Sequence, residues 1–519
     1  MQALYQLSYS PVFCFRAVPR CGIAYITRTS PASAKSFCQG PYSATRDTQG
    51  PFGATRGTVG ALCPIRPGEP YAVTALELEQ STDAGGAQPG RSLIRRHPTL
   101  AAAVGCLVSF AVFWTVQRLL NVTMIDLMVY RAEGFTVRHG ESLYDMVATS
   151  AHLPNTYPPF AALLFTPLTL LGVPAMRTVA TAGNLLLLVG VVHLSLRLVG
   201  RPRRLPRPAA AFAVAALLVW CEPVWTTLRY GQINLLIAVL VLWDLTRADT
   251  RRLAGIGIGV AAGLKLTPAL FAVFLALAGL VRAGQLLRSG AGVRAAWNPW
   301  LRQAAVATAT FLATAFLSAL ALPRDSYRFW TEIVYATDRV GEVEITANQS
   351  LRGALARLLH THDPGAAWLV AAGLTGALGL ALAVASLLRG QRAWAAVACA
   401  ATALLVSPIS WSHHWVWCVP MLILAGSEAL HRTGIPARRW WLTTGALGLL
   451  FCSFALWWVP HRWHHHEELH QNGGQMLLSG SYPLAGLALL ALTGARLWRL
   501  RGRSGQSGAR PSADRAVGS

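Results

Sequence analysis

Residues 366–388 read AAWLVAAGLTGALGLALAVASLL, 23 positions without one charged side chain. A helix needs ~20 apolar residues to cross the hydrocarbon core of a bilayer, so this stretch is long enough to span. Arg389 and Arg392 follow it at once. The same alternation of a long apolar run and a short arginine cluster recurs along most of the 519 residues, which are 53% hydrophobic and 13% charged. Soluble domains carry roughly a quarter charged residues, so a single soluble core is excluded. The formal charge of +23, from 45 Lys and Arg against 22 Asp and Glu, does not indicate a nucleic-acid partner. A nucleic-acid reader gathers its basic residues in one patch or helix, and here they lie dispersed between apolar runs, the pattern of a polytopic membrane protein with basic cytoplasmic loops.

Two of the 45 cations are lysines, Lys35 and Lys265. Arginine is the routine cation of this chain, so Lys265, inside an apolar stretch, is an outlier. The nine cysteines show no CxxC or CxxH spacing, and neither a metal site nor a disulfide framework is expected from them.

Residues 1–95 are rich in Ser, Thr, Pro, Gly and Arg and lack a run long enough for a signal-peptide core or a span. A disordered extension and a wrongly assigned start codon explain them equally well. The membrane domain is expected over residues 96–500, with a disordered cytoplasmic tail over 501–519. Basic clusters at 197–207, 247–252, 282–302, 389–392, 432–439 and 496–503 place those loops, and both termini, in the cytoplasm. About ten full crossings result, near residues 100–120, 176–197, 209–222, 231–246, 303–322, 366–388, 393–410, 414–429, 440–459 and 479–496. Two apolar stretches do not fit as simple crossings: 160–172, after Tyr157-Pro158-Pro159, and 255–281, interrupted by Gly263, Lys265 and Pro268. They read as broken or re-entrant helices, which membranes tolerate where the backbone lines a cavity and which commonly mark a substrate site.

The polar residues that composition does not explain fall at the ends of spans facing away from the basic loops. Asp126 lies just beyond the first span; a carboxylate there suits general-base work on a hydroxyl, and a helix cap or a salt bridge to Arg131 is an equal alternative. Arg229-Tyr230-Gly231-Gln232-Ile233-Asn234 brings a guanidinium and two amides that can hold a phosphate or sugar hydroxyls; a helix start with interfacial Arg and Tyr is the plainer account. Lys265 costs roughly 2.5–3.5 kcal/mol at membrane depth, so it should face a cavity or an anion unless it snorkels to the surface. The histidines of Ser407-Pro408-Ile409-Ser410-Trp411-Ser412-His413-His414-Trp415 can bond a phosphate while Trp rings stack on a sugar or isoprenoid; an interfacial aromatic belt with incidental His is the alternative. His461, His464, His465, His466 and His470 resemble a metal site by composition alone.

Five of these blocks, DLMVYR at 126–131, YGQINLL at 230–236, GLKLTP at 263–268, NQSLRG at 348–353 and SPISWSHHW at 407–415, together resemble the signature blocks of glycosyltransferase family 87. These are actinobacterial α-1,2-mannosyltransferases of the GT-C fold that depend on polyprenyl-phosphate-mannose. The resemblance covers roughly residues 98–498. It implies an all-α polytopic enzyme of the cell membrane with an extracytoplasmic active site, a lipid-linked sugar donor, a glycolipid or glycan acceptor, and no nucleic-acid partner. The family's early aspartate maps onto Asp126 as catalytic base, and its His-His block onto His413 and His414.

The expected reaction is one inverting displacement. Arg229, Lys265, His413 and His414 would stabilise the leaving polyprenyl phosphate. Tyr130, Arg131, Tyr230, Gln232, Asn234, Asn348, Gln349, Trp411 and Ser412 would contact substrate, and no cofactor or metal is expected. Transfer of another sugar such as arabinofuranose stays open. A lipid-linked sugar transporter competes from another class, although the pseudo-symmetric halves usual in transporters are not evident in the sequence.

Overall fold

The buried residues of the first helix, Cys106, Phe110, Phe113 and Gln117, follow one another at steps of three and four. They form one stripe on a 3.6-residue period, while Leu100, Leu107 and Val108 on the other faces are exposed. A helix that buries so narrow a stripe and exposes so much apolar surface has lipid as its solvent. Proline at the start, where its missing N–H costs nothing, fixes where this helix begins. In this computed structural model, which describes residues 97–507 apart from residues 203, 204, 248 and 463, the pattern recurs around the periphery. The expectations for residues 1–95 and for the end of the tail lie outside the described residues.

In chain order the helices begin with α1 (Pro98–Leu119), α2 (Ile125–His139), α3 (Pro159–Phe165), α4 (Val173–Leu198), α5 (Arg207–Leu218), α6 (Glu222–Tyr230) and α7 (Asn234–Leu245). Next come α8 (Ile256–Leu264), α9 (Ala269–Arg288), α10 (Val293–Ala296), α11 (Pro299–Ala321), α12 (Pro323–Thr331) and α13 (Leu351–Leu358). The series ends with α14 (Gly365–Leu388), α15 (Arg392–Val406), α16 (Cys418–Leu430), α17 (Gly434–Cys452), α18 (Gly473–Ser479) and α19 (Ser481–Ser507). The strands are two-residue pieces, β1 (Val147–Ala148) and β2 (Leu153–Pro154), paired antiparallel with Val147 opposite Pro154. The protein is an all-α, multi-pass membrane protein. Its main core gathers α4, α6, α7 and α15 with α16 and the Trp415 and Tyr482 rings.

Among the described residues five helices, α1, α4, α9, α11 and α14, are long and apolar enough to cross a membrane; two bent pairs, α5 with α6 at 82° and α18 with α19 at 70°, raise the number to seven. The ten full crossings read from hydropathy are therefore not all present as full-length helices. The stretches expected at 231–246 and 393–410 are α7 and α15, with 12 and 15 residues. The expected break in 255–281 falls at Lys265, between α8 and α9. Its second half departs from a re-entrant reading, because α9 with 20 residues is itself of spanning length. Residues 159–170 form a short helix continued by a tighter turn, as expected. At the other end, α19 continues through Ser507, past the expected start of the tail.

The basic clusters converge on one end of the molecule. Arg201 donates to His431 at 3.2 Å. Arg432 and Arg496 pair with Glu428, the latter at 3.1 Å, and Arg496 also donates to Gln391 at 2.8 Å. Arg392 pairs with Asp249 at 2.7 Å, and Arg302 donates to the carbonyl of the same residue.

Candidate active site

Away from that basic end, a cavity of about 1240 Å³ opens among α2, the break between α8 and α9, the segment from Ser407 to His414 and the loop after α17. Its wall includes Asp126, Tyr130, Tyr157, Tyr230, Gln232, Lys265, Trp411, Ser412, His413 and His414. Polar residues separated by almost 290 positions in the chain thus face one space.

Asp126 is the second residue of α2, after Met124 takes a left-handed backbone at φ 52°. Its Oδ2 accepts from Gln232 Nε2 at 2.7 Å, and Arg131, the other expected partner, donates to the Leu171 carbonyl at 3.2 Å instead. Gln232 is oriented by what surrounds it. Its Oε1 accepts from the Tyr130 hydroxyl at 2.7 Å and the Tyr157 hydroxyl at 3.1 Å, which leaves its amide N–H to the carboxylate. Burial pushes the Asp126 carboxyl up, and the Gln232 hydrogen bond and the Lys265 charge pull it partly back, to about 6. A base whose pKa lies just below neutrality is ionised at pH 7 yet still takes a proton readily.

Gly231 makes that meeting possible. It ends α6 with φ 69°, a conformation only glycine adopts without strain, and a Cβ there would stand 2.6 Å from Leu127 Cβ. The turn into α7 therefore packs directly on α2, and Gln232 falls beside Asp126.

Lys265 occupies the break after α8 in an extended backbone. Its Nζ lies 2.8 Å from His414 Nε2 and 3.4 Å from Asn234 Oδ1, and 5.4 Å above the centre of the Tyr157 ring. The histidines sit on a tight 3-10 turn, Ser412–Trp417. This turn is pinned because the His413 carbonyl accepts from Thr227 and Asn234, each at 3.0 Å. Trp411 N–H donates to His414 Nδ1 at 3.1 Å. His413 Nε2 is buried with no protein partner among the described residues, on a ring that lines the cavity and stands edge-on to Tyr230 at 5.4 Å. A buried nitrogen without a partner is costly, so it is a natural place for a ligand atom.

Five expected site residues do not line this cavity. Arg131 is committed to Leu171 and to the Phe135 ring, 4.6 Å away, and Arg229 lies outside the wall that its neighbour Tyr230 helps to form. Asn348 and Gln349 require a firmer correction, because both are fully buried and their amides are spent on the protein. Asn348 Oδ1 accepts from Ser350 and Ser410 N–H at 3.2 and 3.0 Å, and its Nδ2 donates to the Val343 carbonyl at 2.8 Å. Gln349 Nε2 donates to the carbonyls of Thr346 and Ser479 at 2.7 and 2.6 Å, and its Oε1 accepts from Tyr482 N–H at 3.2 Å. Nothing is left over for a sugar. Asn234 bonds Lys265 from behind and lines a small adjoining pocket.

Sequence reading missed Tyr157, which was taken only as part of a helix break, and Glu222. The Glu222 carboxylate is buried and accepts from Thr226, Ser412 and Trp457 on Oε1 at 2.8, 2.8 and 3.1 Å, and from the Tyr482 hydroxyl on Oε2 at 2.8 Å. It ties α6, the histidine turn, the loop after α17 and α19 into one unit. The signal was present, since an acidic residue follows a dozen apolar positions there and ionisable residues at membrane depth are rare and functional.

The pattern of glycosyltransferase family 87 matches residues 155–408. The chain is 34% identical over 364 residues, 68% of this chain and 79% of the other, to a protein of Mycobacterium tuberculosis (strain CDC 1551 / Oshkosh) named polyprenol-phosphate-mannose-dependent alpha-(1-2)-phosphatidylinositol pentamannoside mannosyltransferase. It is 32% identical over 424 residues, 76% of this chain and 90% of the other, to a polyprenol-phosphate-mannose-dependent alpha-(1-2)-phosphatidylinositol mannoside mannosyltransferase of Mycolicibacterium smegmatis (strain ATCC 700084 / mc(2)155). No solved structure matches the chain.

Proposed function

The chain belongs to glycosyltransferase family 87, and from that premise we propose that it moves mannose from polyprenol-phosphate-mannose to a phosphatidylinositol mannoside acceptor, forming an α-1,2 linkage. It is an integral membrane glycosyltransferase. The fold is of the GT-C type, with the short helices around the cavity completing a path of about ten passes. The basic end faces the cytoplasm, both termini lie there, and the cavity opens on the outer face of the cell membrane.

The observation that carries this reading is the convergence of Asp126, Lys265, His413 and His414 on one cavity. The acceptor hydroxyl gives its proton to Asp126 as its oxygen attacks the anomeric carbon of a β-linked mannosyl phosphate. The bond from that carbon to the phosphate oxygen breaks, leaving an α-linked mannose and polyprenol phosphate. Lys265, His413 and His414 stabilise the charge that grows on the departing phosphate, an arrangement that acts most strongly where water is excluded. Tyr130, Tyr157 and Gln232 hold the base in place, and Tyr230, Trp411 and Ser412 line the sugar side. The cavity exceeds the range of roughly 300–1,000 Å³ usual for a single small ligand, which suits a lipid-linked donor and a glycolipid acceptor together.

Asp126→Asn keeps the hydrogen-bonding shape and removes the base. Purified in detergent, it should still bind donor and should transfer labelled mannose about 10²–10⁴-fold more slowly. Transfer at the normal rate by a folded Asp126→Asn protein would refute the assignment.

A further inference from the structure

The histidine-rich loop near residue 465 does not stand alone. Folding brings His466 against Glu344 and His362, two residues from a segment more than a hundred positions away. His466 Nδ1 lies 2.7 Å and His362 Nδ1 2.8 Å from the same oxygen, Glu344 Oε1. One potential ligand atom from each of the three residues lies within 4.8 Å of the others, and the two rings stand edge to face at 4.5 Å. The Glu344 side chain is only 3% exposed. Among the described residues its ion-pair partners are these two imidazoles. The neighbouring guanidinium of Arg357 donates to the backbone carbonyls of Glu344 and Ile345 instead. A buried carboxylate is unfavourable unless it is paired or coordinates a metal.

We propose that Glu344, His362 and His466 bind one zinc ion, which clamps three loop segments together, the two that flank α13 and the one that carries His466, at the rim of the cavity. Two imidazole nitrogens and one carboxylate oxygen form a ligand set that zinc takes in sites with a water as fourth ligand; sites built on hard oxygens alone suit magnesium and calcium better. The clamped segments reach the cavity directly. Ile345 and Ala347 follow Glu344 into the wall, and His465 and Glu468 flank His466 there. His466 also takes a left-handed backbone, φ 53°, uncommon for a residue other than glycine and the conformation that presents its ring at the cluster. The ion would fix the rim and take no part in bond making. The inference rests on these ligands alone and stands or falls separately from the transfer reaction.

The test uses the full chain in detergent, without a polyhistidine tag, stripped with a chelator and titrated with zinc chloride. Metal analysis should find one tightly held equivalent per chain, and zinc should raise the unfolding temperature. His362→Ala/His466→Ala should lose both effects, while His470→Ala keeps them. Cobalt added to the unmutated stripped chain should give the intense visible absorption of a tetrahedral site, a readout that no folding defect can imitate. Zinc uptake equal in wild type and double variant, or cobalt spectra of weak six-coordinate type only, would overturn the proposal and leave a hydrogen-bonded triad.

Discussion

Asp126 is where competing small effects set the chemistry. Burial alone would hold its carboxyl protonated well above the ordinary range, and the Gln232 amide and the Lys265 charge bring it to about 6. A general base works only when deprotonated, so mannose transfer should fall as pH drops through about 6; burial lowers the Lys265 ammonium to about 7, so transfer should fall again as pH rises past about 7 and that charge is lost. In Gln232→Leu the carboxylate loses its hydrogen bond, burial acts less opposed, and the acidic limb of kcat/KM should move to higher pH. An unmoved limb in that variant would detach the limb from Asp126. Residue identity carried part of this site openly: Lys265 was visible as the one lysine among arginines in the membrane region. Glu222 was visible by the same reasoning and was passed over. Asn348 and Gln349 show the limit of such reading, since a polar residue in a recognisable block holds backbone as often as substrate, and only the direction of the side chain separates the two.

At the scale of elements, the useful features are interruptions. Besides the α5–α6 and α18–α19 bends, the gap from Leu264 to Ala269 puts Lys265, Leu266 and Thr267 into the cavity wall. Hydropathy detected two of the broken stretches because Pro and Gly punctuate them. It named ten full crossings where the described residues show five helices of spanning length, or seven with the bent pairs, because an apolar run reports burial from water and does not separate a helix in lipid from a short helix packed in protein. Gly231 is the joint where this matters most. Gly231→Ala places a Cβ in a left-handed backbone, at about 1–2 kcal/mol, and against Leu127, prising the α6–α7 turn from α2. Transfer activity should drop far more than the unfolding temperature would suggest. Parallel losses in both would mean that the turn serves stability alone.

Over the whole molecule, three neighbouring sets of contacts, Arg201 with His431, Arg496 with Glu428 and Gln391, and Arg392 and Arg302 with Asp249, draw the basic loops together, and none of these residues lines the cavity. Single cysteines placed at exposed loop sites near residues 201 and 290 should therefore react with an impermeant thiol reagent from one side of the membrane. Cysteines near residues 141 and 335 should react from the other. Labelling of all four from the same side would break the arrangement.

The sequence by itself determined that this chain lives in a membrane and which rare polar residues merit attention, because hydropathy and residue scarcity are properties of local composition. Tertiary structure alone decided which of those residues meet. Asp126 reaches Gln232, Lys265 reaches His414, and Glu344 reaches His466, since contact between distant segments depends on helix breaks, on the close approach that one glycine permits, and on where each side chain points after packing.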